Sequence, residues 1–344
     1  MKSIDMSNLS FRYKKGEPVF DNLSLSFAAE TGYVYGIMGP SGIGKSTLLR
    51  LLLGIEKDFE GTIAFGKADS TLSYVPQEPV LFEHLSIQDN ALYLTTIGRY
   101  RDRFDQAVFE RLAERLQLVE ILSSSRTTDE LSGGQRQLLA LLRALSIQPD
   151  ILLLDEPCNG LDAEVKREFL LSLRSLVTDH KILTLYVTHH HSEIQMIADE
   201  IVYLVKNGNS CVSGKAQATI ESFLSEPPVI EAAQTFFFPD FNSLPFSEVM
   251  GQVHLDPDRK GLQMVFSPDS VVLSQDLGFP YAIVSQTDAY SQVRLTACDQ
   301  IVTLRMARDD VARNSHLFIN GRVLTYEKDG NFVRSMEVHR NNVK

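Results

Sequence analysis

The sequence predicts an α/β fold built on buried parallel strands, followed by a smaller all-β domain. Three observations predict it. Apolar runs at 34–38, 151–154 and 182–187 have the length of strands and the unbroken hydrophobicity of strands covered on both faces. Helical patterns fall between them, at 47–53, 99–122 and 163–176. Beyond residue 245 this alternation gives way to short strand-like runs split by turns.

Taken in order, residues 4–13 alternate apolar and polar, with Leu9, Phe11 and Tyr13 on one face. Residues 19–27 do the same with Leu23, Leu25 and Phe27. The turn Lys14-Lys15-Gly16-Glu17-Pro18 joins them, so an antiparallel subdomain is expected. Tyr13 closes its strand, where its ring can pack on neighbours or stack on a base.

The run 34–38 delivers Gly39-Pro40-Ser41-Gly42-Ile43-Gly44-Lys45-Ser46-Thr47, which fits G-x-x-x-x-G-K-[ST]. Glycines let a backbone wrap close to an anion because no Cβ intervenes. Successive N–H groups aimed into one concavity then bind negative charge. Lys45 adds a cation for β- and γ-phosphates, and Ser46 offers Mg²⁺ a hard oxygen ligand. The helix at 47–53, stopped by Gly54, turns its N-terminus toward the phosphates. A ligand-free glycine turn would not require the strand, the helix and an intact Gly-Lys-Ser together.

Composition narrows the class. The chain has 344 residues, enough for two domains, and 44% hydrophobic with 22% charged residues is ordinary for a soluble globular protein. No apolar run approaches the ~20 residues of a membrane-spanning helix, and Met1 to Asp5 has no apolar segment behind it. A net charge of −11 argues against general nucleic-acid binding. Cys158, Cys211 and Cys298 are isolated and lack metal-ligand spacing, which reads as free thiols in a reducing compartment.

Short strands are expected at 61–66 and 72–75, the second running into Pro76-Gln77-Glu78-Pro79. Two prolines forbid a regular element there and present Gln77 on a stiff loop, as a plain turn would also do. From 99 to 122, Phe104, Val108, Leu112, Leu116 and Val119 form one helical stripe, ending in a polar Ser123-Ser124-Ser125 loop. Leu131-Ser132-Gly133-Gly134-Gln135 then opens another helix whose N-terminus can bind an anion, although an ordinary N-capped helix explains the same residues.

The run 151–154 delivers Asp155 and Glu156 to the carboxyl edge of the sheet, where ligands bind in α/β folds. Asp155 there can hold Mg²⁺ through its water shell, and Glu156 can orient or deprotonate an attacking water. After a turn at 157–162 and a helix, 182–187 ends in Thr188-His189-His190-His191. Adjacent histidines point apart, so one of them contacting a nucleotide fits better than a three-histidine metal site. Strand 201–205 and a turn at 206–209 close the first domain. Prolines at 227–228 and 239–245 mark a linker holding Phe236, Phe237 and Phe238, which are expected to pack between domains or subunits. The strand-like runs that follow, with a tight-turn signal at Asn320-Gly321, suggest a small β-barrel of OB type.

The phosphate loop, the Leu131-to-Gln135 pentapeptide and the 151–156 strand together resemble the ATP-binding subunit of ABC transporters over about residues 1–225. The resemblance implies a P-loop cassette with a mixed sheet, an antiparallel β subdomain and a helical subdomain, hydrolysing ATP with Mg²⁺. It implies that Tyr13 stacks on adenine, and that Gln77 senses Mg²⁺ and the water and reports to membrane subunits. It implies that Ser132, Gly133, Gly134 and Gln135 cap the γ-phosphate across a dimer, that Leu161-Asp162 pass the partner's signature, and that His189 is the switch histidine. Two half-sites in one chain then make sense, because a two-fold homodimer completes two sites. Asn159-Gly160 before Leu161, and Leu138-Leu139 in the helix after the signature, depart from the common pattern without removing a catalytic group.

Residues 246–344, after a linker at 226–245, are similar to the regulatory TOBE/OB-like domain of importer ATPases, with Ser267-Pro268-Asp269-Ser270-Val271 at its entry. The run from Val80 to Asn90 looks like molybdate, ferric-iron and sulfate importers. The resemblance therefore implies integral-membrane permease partners and, through them, a solute-binding protein. It implies a peripheral place on the cytoplasmic face of the inner membrane, with neither direct insertion nor nucleic-acid binding. A soluble non-transport ABC ATPase and an exporter ATPase are the alternatives. The non-transport kind usually has a second cassette or coiled-coil insertion, and this chain has one cassette and a β-tail.

Overall fold

The computed structural model describes residues 1–207 apart from 15 and 125, residues 211–227, and C-terminal segments at 229, 232–233, 242–245, 263–266, 271–274, 279–286, 291–295, 301–304, 306, 311–312, 314, 316–319, 321–326 and 331–338. The chain divides into two units, Met1–Ile220 and Glu221–Lys344.

The first unit is built on one nine-stranded mixed sheet. Its strands are β1 (Lys2–Arg12), β2 (Pro18–Ala29), β3 (Tyr33–Met38), β4 (Phe59–Phe65), β5 (Leu72–Val75), β6 (Ile151–Asp155), β7 (Leu183–Val187), β8 (Glu200–Asn207) and β9 (Cys211–Thr219), in the order β4-β1-β2-β9-β8-β3-β7-β6-β5. The run β8-β3-β7-β6-β5 is parallel, and β1 pairs antiparallel with both β2 and β4. All five residues of β6 and all five of β7 are buried, as expected of strands covered on both faces. Each fully buried leucine of β6 contributes about 2 kcal/mol.

The β1–β2 ribbon holds an irregularity where Ser7 and Asn8 break the alternation. Ile4 and Met6 are buried, and so are Leu9 and Phe11, so the buried positions change from even to odd. The register shifts between Met6 and Leu9, where Asn8 takes φ +53, and this extra residue turns the later side chains back onto the core. Tyr13, expected to share their face, lies beyond the strand and is 40% exposed.

Helices α1 (Lys45–Leu52), α2 (Ile87–Leu92), α3 (Gln106–Arg115), α4 (Val119–Leu122), α5 (Gly133–Leu145), α6 (Ala163–Asp179) and α7 (His191–Ile197) surround or flank this sheet. The single helix expected over 99–122 is instead three pieces: a 3₁₀ segment at Gly98–Arg103, then α3, then α4. Asp105 starts α3 by accepting the Val108 amide at 3.0 Å, and Gln117 at φ +56 ends it. The buried stripe is accordingly Phe109, Leu112, Ala113 and Leu116, while Val119 is 50% exposed. Among the described residues no helix is long and apolar enough to cross a membrane.

The described strands of the second unit form two antiparallel sheets, an all-β region as expected. One contains β10 (Asn242–Pro245), β11 (Gln263–Phe266), β17 (Gly321–Tyr326) and β18 (Phe332–Val338). The other contains β12 (Val271–Ser274), β13 (Phe279–Gln286), β14 (Ser291–Leu295), β15 (Ile301–Leu304) and β16 (His316–Ile319). Residues 226–245, expected as a linker, contain parts of this unit. Tyr326 donates to the Pro227 carbonyl at 2.9 Å, Ala233 packs with Val265, Leu324 and Tyr326, and β10 pairs with β11. Pro245 is tolerated because β10 is an edge strand, where a missing N–H costs no ladder bond. Phe236 to Phe238, the Ser267-to-Ser270 entry, Cys298 and Asn320 lie outside the described residues.

Leu153 is 0% exposed in the middle of the parallel sheet. Leu153→Ala should lower the stability of the first unit by about 3 kcal/mol, read as a fall in its denaturant midpoint.

Candidate functional site

Parallel register creates the site. Ile37 of β3 and Asp155 of β6 both pair with Val187 of β7, and Val75 of β5 pairs with Leu154. Four strands therefore end on one edge, and the loops beginning at Gly39, Pro76, Glu156 and Thr188 leave it together.

The glycine loop is shaped by its last glycine. Gly44 caps α1 with φ +111, and a Cβ there would lie 2.6 Å from a methyl of Val19. Ile43 does not face outward: its side chain is in the core and its amide donates to the Pro40 carbonyl at 3.2 Å. Lys45 is only 7% exposed, and its ammonium donates to the carbonyls of Gly39 at 2.9 Å and Pro40 at 3.1 Å. Burial pushes its pKa down, while Glu156 and Asp155 pull it up. Thr47 lies 3.2 Å from the Tyr13 hydroxyl, and the Tyr13 ring meets Phe11 edge-on at 4.9 Å, so Tyr13 stands beside the loop with part of its ring open.

Asp155 is 4% exposed, and burial pushes its carboxyl pKa up, opposed by the nearby Ser46 and Tyr74 hydroxyls. Tyr74 donates to Oδ2 at 3.3 Å, whereas Oδ1 is buried without a hydrogen-bond partner. An orphaned carboxylate oxygen next to the Ser46 hydroxyl is the hard oxygen donor set that suits Mg²⁺. Among the described residues no group of three His, Cys, Asp or Glu side chains is placed to hold a metal ion.

Glu156 adopts φ +45, a left-handed conformation unusual for a residue with a Cβ. Its amide still donates to the Val187 carbonyl at 2.9 Å, so the chain leaves the sheet only after that bond. The twist brings its carboxylate between Gln77 and His189. Gln77 Nε2 donates to Oε2 at 3.2 Å, and His189 Nδ1 lies 2.9 Å from Oε1. Ser41, Gly42, Gly44, Lys45, Ser46, Thr47, Gln77, Glu156 and His189 line one cleft of about 410 Å³. A polyanion seated in it would meet a lysine and backbone N–H groups at one wall and a carboxylate with two polar partners at the other.

Ser132, Gly133, Gly134, Gln135 and Asp162 are placed elsewhere. They line a different cleft, with Gly160 and Leu161, that shares no residue with the first. Ser132 caps α5 in a reciprocal box: its Oγ accepts the Gln135 amide at 3.2 Å, and its own amide donates to Gln135 Oε1 at 3.0 Å. Gly134 packs against Leu161 and Val165, whereas a Cβ on Gly133 would meet nothing within 4 Å. Asp162 spends its carboxylate on the N-terminus of α6, accepting from Glu164 and Val165.

Tyr74 is a site residue that the sequence reading missed. Its contact depends on the β5–β6 register, which pairs Tyr74 with Leu153 and is not visible in either strand alone.

A family profile described as ABC transporter matches residues 21–159. A sulfate/thiosulfate import ATP-binding protein of Agrobacterium fabrum is 30% identical over 321 residues, 87% of this chain and 86% of that protein. One from Synechococcus elongatus is 36% identical over 58% of this chain and 59% of its own length. Among solved structures, a bacterial Atm1-family ABC exporter with ATP bound superposes with TM-score 0.56 at 26% identity, over 68% of this chain and 41% of that chain. A metal-chelate type ABC transporter in an inward-facing conformation gives TM-score 0.55 at 24% identity over 71% of this chain and 91% of its own, a likeness of fold.

The raised pKa of Asp155 has a sign that can be tested. Between the ordinary carboxylate value and the raised one, the folded chain holds the proton longer than the unfolded chain, so this group's contribution to stability falls as pH rises through that window. Asp155→Asn should therefore raise the thermal midpoint of the nucleotide-free chain at neutral pH. The difference should shrink in acid, where both states carry the proton, as scanning calorimetry at several pH values would show.

Proposed function

We propose that this chain, which belongs to the family of ABC transporter ATP-binding proteins, is the ATP-hydrolysing subunit of an importer and acts as a two-site homodimer beneath separate membrane subunits. The observation that carries the reading is the hydrogen-bonded set of Gln77, Glu156 and His189 facing Lys45 and Ser46 across one cleft. In this reading Tyr13 stacks on adenine and the loop from Gly39 to Thr47 wraps the phosphates. Lys45 exchanges its carbonyl partners for phosphate oxygens. Mg²⁺, when bound by Ser46 and by the buried face of Asp155, supplies charge neutralisation at the phosphates. Glu156 accepts a proton from the attacking water, with Gln77 and His189 holding its carboxylate in line.

The second cleft supports the dimer. Ser132 and the open face of Gly133 are an anion-binding helix start with no phosphate loop beside it, and a two-fold partner brings one. The relatives' names favour sulfate or thiosulfate over the wider set of molybdate, sulfate and ferric iron as cargo. That cargo is held by other subunits, so permease subunits and a solute-binding protein are the implied partners, and the chain sits on the cytoplasmic face through them. Residues 246–344 are proposed as the regulatory part.

Two experiments test this. Glu156→Gln should keep ATP affinity within about twofold while lowering kcat by at least the ~10²–10⁴ of a general base, and should accumulate an ATP-bound dimer on gel filtration. Undiminished hydrolysis would remove Glu156 from its role. Lys45→Ala and Ser132→Arg chains should each be inactive alone, yet regain hydrolysis when mixed, because the mixed dimer pairs an intact loop with an intact signature. Failure to regain activity in dimers shown to have exchanged subunits would contradict the shared site.

A further inference from the structure

Beneath the cleft lies a buried polar cluster that the hydrolytic reading does not use. Glu193, in the first turn of α7, is 1% exposed. Its Oε2 accepts from the Tyr186 hydroxyl at 2.9 Å and from Thr188 Oγ1 at 2.8 Å, and its Oε1 lies 2.8 Å from the ammonium of Lys166. Tyr186 also reaches Cys158 Sγ at 3.4 Å. Thr188 Oγ1 in turn accepts the His190 amide at 3.1 Å, so the hydroxyl fixes the backbone on both sides of His189.

A buried carboxylate must be paired and hydrogen-bonded to be tolerated, and a core position filled by an apolar residue would serve packing as well. What distinguishes this pair is the set of segments it joins. Cys158 stands two residues after Glu156. Thr188 stands one before His189. Lys166 is in the first turn of α6, its amide donating to the carbonyl of Asp162 at 2.9 Å, and the Leu161 side chain on that turn lies against Gly134. Four hydrogen bonds and the Lys166–Glu193 ion pair thus tie the first turn of α6 and Cys158 to the backbone on either side of His189.

We infer that Glu193, anchored by Lys166, is a positioning residue for hydrolysis: it couples the placement of the 157–162 loop beside the signature to the orientation of His189 and Glu156. The inference rests on the hydrolytic reading above for its effect on rate, and on geometry alone for its effect on His189. Glu193 touches neither cleft, so it acts only through Thr188, Tyr186 and Lys166. When the 157–162 loop moves with a partner's approach, Lys166 carries the change to Glu193 and so to Thr188. The tie needs a charge at both ends, because a neutral amide at 193 would still satisfy Tyr186 and Thr188 but would release Lys166.

The test uses the full-length chain and compares Glu193→Gln, the double variant Lys166→Met with Glu193→Gln, and Lys166→Arg. The first two should lower kcat for ATP at least tenfold with KM and the thermal midpoint nearly unchanged, and Lys166→Arg should stay within twofold of the parent. The double variant leaves no unpaired charge in the core, so it stays interpretable if the single one is unstable. Histidine-ring NMR on the same proteins should show the His189 signals displaced in the first two and unmoved in Lys166→Arg. A kcat within twofold of the parent in both neutral variants would overturn the inference. So would losses of kcat that track losses of thermal midpoint and extend to Lys166→Arg, since that is packing alone. If the parent chain itself shows no turnover, the hydrolytic reading fails, and the His189 signals still decide the coupling: unmoved signals in the neutral variants overturn it.

Discussion

The parallel alignment of β5, β6, β7 and β3 is the constraint on which everything else depends. Because Asp155 and Ile37 sit at the level of Val187, the glycine loop, the acidic pair and the histidine loop all emerge at one height. A one-residue slip in any of these pairings would turn its strand's side chains to the opposite face and withdraw its loop from the cleft. The mostly apolar strands hold that alignment, since every alternative register would expose or bury the wrong set at the strand ends. Chemistry at the edge is thus purchased by hydrophobic burial in the middle of the sheet.

The edge itself is locally unfavourable. Asp155 carries a buried oxygen with no partner, Lys45 is pushed toward neutrality by burial, and Glu156 occupies a left-handed backbone conformation. An unpaired buried oxygen or a left-handed non-glycine residue costs roughly 1–3 kcal/mol in ordinary proteins. Lys45 and Glu156 line one cleft and Asp155 precedes Glu156 in the chain, which is where a phosphate, a metal and a water would relieve them. The capping box at Ser132 and the N-cap at Asp162 are the reverse case, each side chain hydrogen-bonded to the first turn of its own helix. One half of the machinery is strained and the other relaxed, as expected if the strained half does the bond-breaking and the relaxed half docks against it.

Much of this was legible in the residue order, and the rest was hidden for definite reasons. The glycine loop, the acidic pair and the buried strands announce themselves because each is contiguous. Gln77 and His189 could be nominated, but their meeting at Glu156 depends on strand register across more than a hundred residues of chain. The bulge at Asn8 left a mark in the sequence, since polar residues at both 7 and 8 break the alternation and shift its phase from Met6 to Leu9. The 99–122 segment has a plausible apolar period throughout, yet Asp105 and Gln117 interrupt it with a cap and a left-handed turn, so the stripe shifts to Phe109 and Ala113. The proline-rich stretch before residue 245 suggests a spacer by composition alone, and nothing in composition tells that its last proline lies on a sheet edge. Glu193 and Lys166 are unremarkable helix residues by sequence; only the fold buries the one and brings the other to it.

The register of β3 has a consequence for synthesis on the ribosome. Tyr33 pairs with Leu183 and Tyr35 with Glu200, so the strand that feeds the glycine loop has no sheet neighbours on either side until those distant segments have emerged. The nascent chain must carry an apolar strand and its helix unpaired for well over a hundred residues, which at ~5–20 residues per second is many seconds of exposure. The β1–β2 ribbon, by contrast, can close at once. Closure of the sheet waits for β7, β8 and β9, which precede the Glu221–Lys344 unit in the chain, so the N-terminal unit can complete its sheet before that unit has fully emerged.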